Sequence, residues 1–135
     1  MNKPLYRFNY SQDIVNLQTV YSLFNRVSNI IFSVTFDEGF DDTLMTNAIQ
    51  LLMERNDCLR LKFVKEGKET KQYFEAERNI GEIPSIAFST NCQMDSFIRR
   101  FRRKAINVRK GETMKVVLAT DPTGSRMLLI KISHM

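Results

Sequence analysis

The single histidine of the sequence, His134, is the first residue whose type and position could do chemistry. A neutral imidazole titrates close to pH 7, so it can take a proton from an attacking hydroxyl or amine. His134 follows Leu128, Ile130 and Ile132, which alternate along the last predicted strand and share one of its faces. The pattern places this imidazole at a strand end, where it is either a general base or a residue near the terminus without a role.

A basic stretch is the second feature with chemical potential. Seven Lys and Arg residues lie from Ile98 to Lys110, and charge of this density can bind phosphates, RNA or an acidic protein surface. The sequence contains neither of the two common glycine-rich phosphate-binding motifs. The solvated face of an amphipathic helix is the simpler interpretation, and a small basic nucleic-acid-binding protein stays the weaker alternative.

The acidic and sulfur-containing residues favour structural roles. Two carboxylate pairs fall in a predicted turn and at a predicted helix start, where turn formation and capping explain them: Asp37-Glu38 and Asp41-Asp42. Cys58 and Cys92 with one histidine provide three ligands, too few for a structural zinc site. We therefore expect no metal, and we expect Cys58 to be a small buried residue.

The composition is that of an ordinary folded protein. The 135 residues are 43% hydrophobic and 26% charged, which argues against disorder. No apolar run reaches the roughly 18 residues of a membrane span, and the first residues do not resemble a signal peptide. We expect a cytoplasmic setting and no membrane partner. The net charge of +5 permits an anionic partner without requiring one.

Hydrophobic periodicity predicts three helices and six strands. The apolar spacing is helical over 11–24, 41–56 and 93–107, with a cap at Asp41 or Asp42 and another at Asn91. Strand patterns cover 29–36, 59–64, 71–76, 83–89, 114–120 and 127–134, with turns at 66–68 and 121–124. This order predicts an α/β (α+β) fold in which helices pack on a mixed, largely antiparallel sheet.

Three stretches carry a resemblance to a known family. Residues 36–63 resemble the D…L..A…L…H..LR..F block that opens the condensation domains of nonribosomal peptide synthetases. Residues 111–118 resemble the GPLxRxxL strand of that family, and residues 128–135 resemble the strand that runs into its HHxxxDG motif. The wider superfamily includes chloramphenicol acetyltransferase-like enzymes and alcohol O-acetyltransferases. The resemblance covers most of the chain and all three stretches come in the family's order.

The resemblance implies a function and a site. It implies half of a chloramphenicol acetyltransferase-like fold that transfers an acyl group from a CoA or carrier-protein thioester to an alcohol or amine. The thioester is a co-substrate, and no tightly bound cofactor is expected. His134 matches the second histidine of HHxxxDG, the family's catalytic base, while Ser133 stands where the first histidine is usual. Arg60 is expected to be a structural residue near the motif.

The motif's Asp and Gly would follow position 135. We therefore expect residues 1–135 to be the N-terminal lobe of a condensation or acyltransferase-like domain, inactive alone because its second lobe is absent. The expected partners are that lobe, a carrier protein and a second copy of the chain bound through the exposed lobe surface. We expect no nucleic acid partner. The alternative is a non-catalytic condensation-like binding or scaffolding module in which Ser133 marks lost chemistry.

Overall fold

Two β-sheets organise the residues that the computed structural model describes, which are 4–7, 29–36 and 40–133, except for the side chain of Arg109. The predicted helix over 11–24, the Asp37-Glu38 pair and His134 lie outside these ranges.

The described elements follow the predicted order. Two short 3₁₀ helices cover Asp57–Arg60 and Val108–Lys110. The helices are α1, Asp42–Arg55, and α2, Asn91–Arg103. The strands are β1, Tyr6–Arg7; β2, Asn29–Phe36; β3, Leu61–Glu66; β4, Glu69–Phe74; β5, Ser85–Ala87; β6, Met114–Thr120; and β7, Arg126–Ser133.

The strands form one small antiparallel sheet and one mixed sheet. The first has the order β1-β4-β3, and the second has the order β2-β7-β6-β5. In the second sheet β5 runs parallel to β6, and the other neighbours are antiparallel. The predicted class, an α/β fold with largely antiparallel pairing, is confirmed, and the structure divides the strands between two sheets.

The turn between β6 and β7 explains why their register is fixed. A carboxylate oxygen of Asp121 accepts hydrogen bonds from the Thr123 hydroxyl and from the backbone N–H groups of Thr123 and Ser125. The Thr123 hydroxyl is the main cause that lowers the pKa of Asp121, and backbone N–H donors add to it. Gly124 has φ of 92°, which glycine adopts without steric cost. From this turn the two strands pair continuously from Thr120 opposite Arg126.

The alternating side chains of the mixed sheet face two different helices. On one face Leu118 and Leu128 form a core with Ile49 of α1. On the other face Val117 and Leu129 belong to a second core, which is packed against Met94, Phe97, Ile98 and Phe101 of α2. The period-2 pattern of β6 and β7 therefore fills both sides of one central layer.

The ends of the helices differ partly from the prediction. Of the two expected caps, Asp41 and Asp42, it is Asp41 that caps α1, because its carboxylate accepts from the Leu44 N–H at 2.8 Å. Thr90, not Asn91, caps α2, through a hydroxyl that accepts from the Gln93 N–H at 3.3 Å. Helix α2 also stops at Arg103 rather than near 107, since the chain turns to bury two further side chains, Ile106 and Val108.

Two further expectations concern the burial of Cys58 and the absence of a membrane-spanning helix. Cys58 is exposed, so the prediction of a small buried residue is wrong. It lies in the first 3₁₀ helix, where the neighbouring Leu59 is the residue that is buried. Neither described helix has the length and hydropathy that crossing a bilayer requires.

Candidate active site

The site is built on the end of β7. This strand lies between β2 and β6 and is therefore hydrogen-bonded on both sides. Its last residue, Ser133, pairs with Asn29 of β2, and the Ser133 N–H donates to the Thr113 carbonyl at 2.9 Å. His134 follows directly in the sequence but lies outside the described residues. Its role as a general base stays a prediction.

A buried hydrogen-bond cluster holds Thr113 in place. The Thr113 side chain is 4% exposed, and its hydroxyl donates to the Leu59 carbonyl at 2.5 Å. One guanidinium nitrogen of Arg78 donates to both the Leu59 carbonyl and the Thr113 hydroxyl, each at 3.3 Å. Residues far apart in sequence thus converge beneath the end of β7.

Arg60 lies next to this cluster but faces a different part of the chain. Its guanidinium donates to the carbonyl groups of Glu75 and Ala76, at 2.5 and 2.8 Å, and forms an ion pair with Asp57. These contacts tie the first 3₁₀ helix to the end of β4. Within the described ranges no hydrogen bond or ion pair joins Arg60 to Ser133. Its predicted structural role near the motif stays a prediction.

Lys131 is the unexpected charged group of the site. It is two residues before Ser133 and 0% exposed. Its ammonium donates to the carbonyl groups of Phe101 and Lys104, and it lies 4.5 Å from the centre of the Phe101 ring. The carbonyl groups at a helix end favour a cation, but burial, followed by repulsion from Lys115 and Lys104, lowers the pKa of Lys131 to about 8.

A groove of about 660 Å³ lies between α2 and the β2 side of the sheet. One end is marked by Asn29, the residue that pairs with Ser133, so the groove opens beside the end of β7. Its apolar lining comes from three elements and consists of Ile31, Ile98, Phe101 and Leu129. A surface of this kind accepts a hydrocarbon chain, because apolar contact there removes both partners from water.

Arginines border the same groove. Arg99, Arg102 and Arg103 line it and are exposed. None of the ion pairs among the described residues involves these three side chains, so no carboxylate in that part of the chain neutralises their charge. The expectation that this part of α2 is a solvated face agrees with their exposure. In the described ranges no group of three His, Cys, Asp or Glu side chains gathers in a way that could hold a metal ion.

The sequence analysis did not identify Lys131, Thr113 or Arg78. The only available signal for Lys131 was its position in an otherwise apolar strand, between Ile130 and Ile132. Thr113 and Arg78 meet across 35 positions, and no local pattern indicates such a contact.

The class of protein to which this chain belongs follows from its match to a family model. The condensation-domain family model matches residues 19–135, and the chain belongs to that family. No match was found among curated proteins.

Solved structures show the same fold. The starter condensation domain of rhizomide synthetase RzmA superposes with a TM-score of 0.81 and 16% identity, covering 97% of this chain and 32% of its own length. A mutant of that domain in complex with C8-CoA gives a TM-score of 0.80 at 16% identity, covering 96% and 31%. The condensation domain of Monacolin K polyketide synthase MokA gives 0.78 at 10% identity, covering 96% and 30%. The chain therefore spans about a third of the length of the solved condensation domains it matches.

Proposed function

We propose that this chain forms one lobe of an acyl-transfer site, in which His134 is the general base. The observation that carries the proposal is the family match over residues 19–135, together with the position of His134 directly after the anchored end of β7. The second lobe would come from the remaining two thirds of a complete condensation domain. Residues 1–135 alone would then be inactive.

The proposed reaction joins an acyl group to an amine or an alcohol. The nucleophile's lone pair attacks the thioester carbonyl carbon while His134 takes its proton, and the C–S bond then breaks to release the thiolate. An amide or ester forms, and the proton held by the imidazole returns to the thiolate. No covalent link to the protein is needed. Positioning two substrates in one site supplies much of the rate.

The groove beside β7 supports a thioester co-substrate. Its apolar lining would take the acyl chain, and its arginines would face the phosphates of CoA or of a carrier-protein arm. The complexes of the rhizomide synthetase domain with C8-CoA, and with C8-CoA and Leu-SNAC, support this class of co-substrate. The proposal includes no tightly bound cofactor, and a carrier protein and a cytoplasmic setting stay predictions.

The edge of the mixed sheet supports a protein partner. Among the described strands β2 is an edge strand, and its Ile30, Phe32 and Val34 are 41%, 48% and 43% exposed. Such a surface is typical of one that another element covers. We propose the second lobe as its partner, and a second copy of the chain when that lobe is missing.

A binding or scaffolding module is the second candidate. The observation that favours it is Ser133, which stands where the family motif has its first histidine. Such a module would bind the thioester without transferring the acyl group.

The experiment uses a protein in which this chain is joined to a second condensation lobe. Octanoyl-CoA and an amine are supplied, and product and free thiol are measured in the original protein and in His134→Ala. Loss of a general base lowers the rate by about 10²- to 10⁴-fold, and Ser133→Ala serves as the neighbouring control with a retained rate. Transfer that survives His134→Ala removes His134 from the role. Octanoyl-CoA binding without transfer in the original protein supports the binding module instead.

A further inference from the structure

Thr113 connects the end of β7 to the first 3₁₀ helix. Its backbone carbonyl accepts the Ser133 N–H at 2.9 Å, one residue beyond the regular β6–β7 pairing. Its hydroxyl donates to the Leu59 carbonyl at 2.5 Å. The backbone and the side chain of one residue thus hold two separate elements, the strand end and the first 3₁₀ helix.

Arg78 fixes the orientation of the Thr113 hydroxyl. A single guanidinium nitrogen donates to the Thr113 hydroxyl and to the Leu59 carbonyl, at 3.3 Å each. The Thr113 hydroxyl therefore accepts one hydrogen bond and donates another, which fixes its rotamer. Because the residue is buried, water is not available to replace either bond.

We infer that Thr113, held by Arg78, is a positioning residue for the backbone that carries His134. The inference rests on the proposed function, since it concerns the same base. Consecutive Cα atoms lie 3.8 Å apart across a trans peptide, so the bond that fixes Ser133 also fixes where residue 134 begins. Neither Thr113 nor Arg78 touches the substrate in this scheme.

The consequence is a requirement of catalytic geometry. A general base must lie within about 2.6–3.2 Å of the atom whose proton it takes. A displacement of about 1 Å can cost about 100-fold in rate. A valine at position 113 keeps the shape of threonine and the backbone carbonyl, but it loses the hydroxyl that ties them to Leu59 and Arg78. The end of β7 then keeps its strand partners and loses its anchor.

The test compares four variants: Thr113→Val, Thr113→Ser, Arg78→Lys and Thr120→Val. Thr120→Val is the matched control, because Thr120 lies at the opposite end of the same strand and no side-chain hydrogen bond joins it to another described residue. Thr113→Ser keeps the hydroxyl and should restore the behaviour of the original protein. Arg78→Lys keeps the charge but cannot reproduce the planar guanidinium geometry, and it provides the answer if Thr113→Val fails to fold.

The first measurement is hydrogen exchange of the Ser133 amide in the 135-residue chain, which needs no activity. We expect exchange to be at least about tenfold faster in Thr113→Val and in Arg78→Lys, and unchanged in Thr113→Ser and Thr120→Val. Unchanged protection of Ser133 in Thr113→Val would overturn the inference, as would equal losses in the valine and serine variants.

The second measurement is acyl transfer in the protein with both lobes. We expect Thr113→Val to lower kcat by about 10- to 100-fold with KM unchanged within about twofold, and Thr113→Ser to rescue kcat. If His134→Ala lowers kcat and Thr113→Val does not, the positioning role of Thr113 is wrong, and the proposed base is unaffected. A rate that is insensitive to His134→Ala contradicts the proposed base, whatever Thr113→Val does.

Discussion

The two faces of the mixed sheet are built differently. On the α1 face, Leu118 and Leu128 pack against Ile49, and α1 contributes two fully buried residues, Ile49 and Met53. On the α2 face, the helix contributes no fully buried residue, and its aromatic side chains stay partly exposed. A buried ammonium, that of Lys131, also lies on this face.

This difference suggests that the α1 face contributes more to stability and that the α2 face is better suited to bind a ligand. An apolar core of buried residues, such as the one formed by Ile49, Leu118 and Leu128, gains the most from burial and from contact with neighbouring atoms. A helix held by half-buried aromatic residues and by one cation at its end leaves room for a groove and is easier to displace. The groove and Lys131 lie on the second, looser face, whereas Leu128 and Ile130, which alternate with His134 in the sequence, lie on the α1 face.

The largest expected effect comes from one leucine on each face. In the register of β6 and β7, Leu118 lies opposite Leu128 and Leu129 lies opposite Val117. Leu118 and Leu129 are 1% and 2% exposed. Leu118→Ala is expected to lower the free energy of unfolding by about 2–5 kcal/mol, because the α1 core cannot collapse around the cavity. Leu129→Ala is expected to cost less, since the partly exposed α2 side chains can relax. Denaturant unfolding of both variants measures the contrast, and an equal or larger loss for Leu129→Ala contradicts it.

The next effect is the pH dependence that Lys131 imposes. Its pKa falls from 10.5 in the unfolded chain to about 8 in the folded one. Between these two values the unfolded chain holds a proton that the folded chain has released, so raising the pH favours folding. Below about pH 8 both states are protonated at Lys131, and its contribution no longer changes with pH.

The measurement is denaturant unfolding of the original chain and of Lys131→Met from pH 7 to pH 10.5. The stability of the original chain relative to the variant should rise across the upper part of this range, by at most about 1.4 kcal/mol per pH unit. Lys65→Met is the control, because Lys65 is an exposed strand lysine of the other sheet. A difference between the original chain and Lys131→Met that does not change with pH means that the ammonium is not desolvated.

The smallest expected effect on stability comes from the exposed arginines. Arg99→Gln and Arg102→Gln should change the free energy of unfolding by no more than about 0.5 kcal/mol. Both variants should nevertheless weaken octanoyl-CoA binding and reduce its dependence on salt. Arg55→Gln removes the same charge from α1 and should leave binding unchanged. Calorimetric titration at two salt concentrations measures the octanoyl-CoA affinity and its salt dependence. Equal affinity in all three variants would show that octanoyl-CoA does not bind in the groove.

Local patterns predicted much of the fold. Alternation predicted the bounds of β2 and β6 to the residue, and the Asp41-Asp42 pair predicted the start of α1 to within one residue. The sequence placed the cap of α2 one residue late because Thr90 and Asn91 are both good capping residues, and backbone geometry decides between them.

The site was harder to predict because its contacts are long-range. Lys131 has the alternation of a side chain on the α2 face, but its burial depends on the carbonyl groups at the end of α2 and on the Phe101 ring. Thr113 meets Leu59 across 54 positions, and the partner of its hydroxyl follows from how the first 3₁₀ helix packs beside the start of β6. Such contacts depend on tertiary packing, whereas a turn such as 121–124 depends on its own residues.

The pairing of β2 has a consequence for synthesis on the ribosome. Within the described ranges β2 pairs with β7 alone, and β7 is made after every other described element. Newly made β2 therefore has no partner strand among the described elements until β7 is made, and Ile30, Phe32 and Val34 stay unpaired. The β3–β4 hairpin, in contrast, can form at once from neighbouring residues. An exposed apolar strand of this kind is prone to aggregate until its partner strand is made.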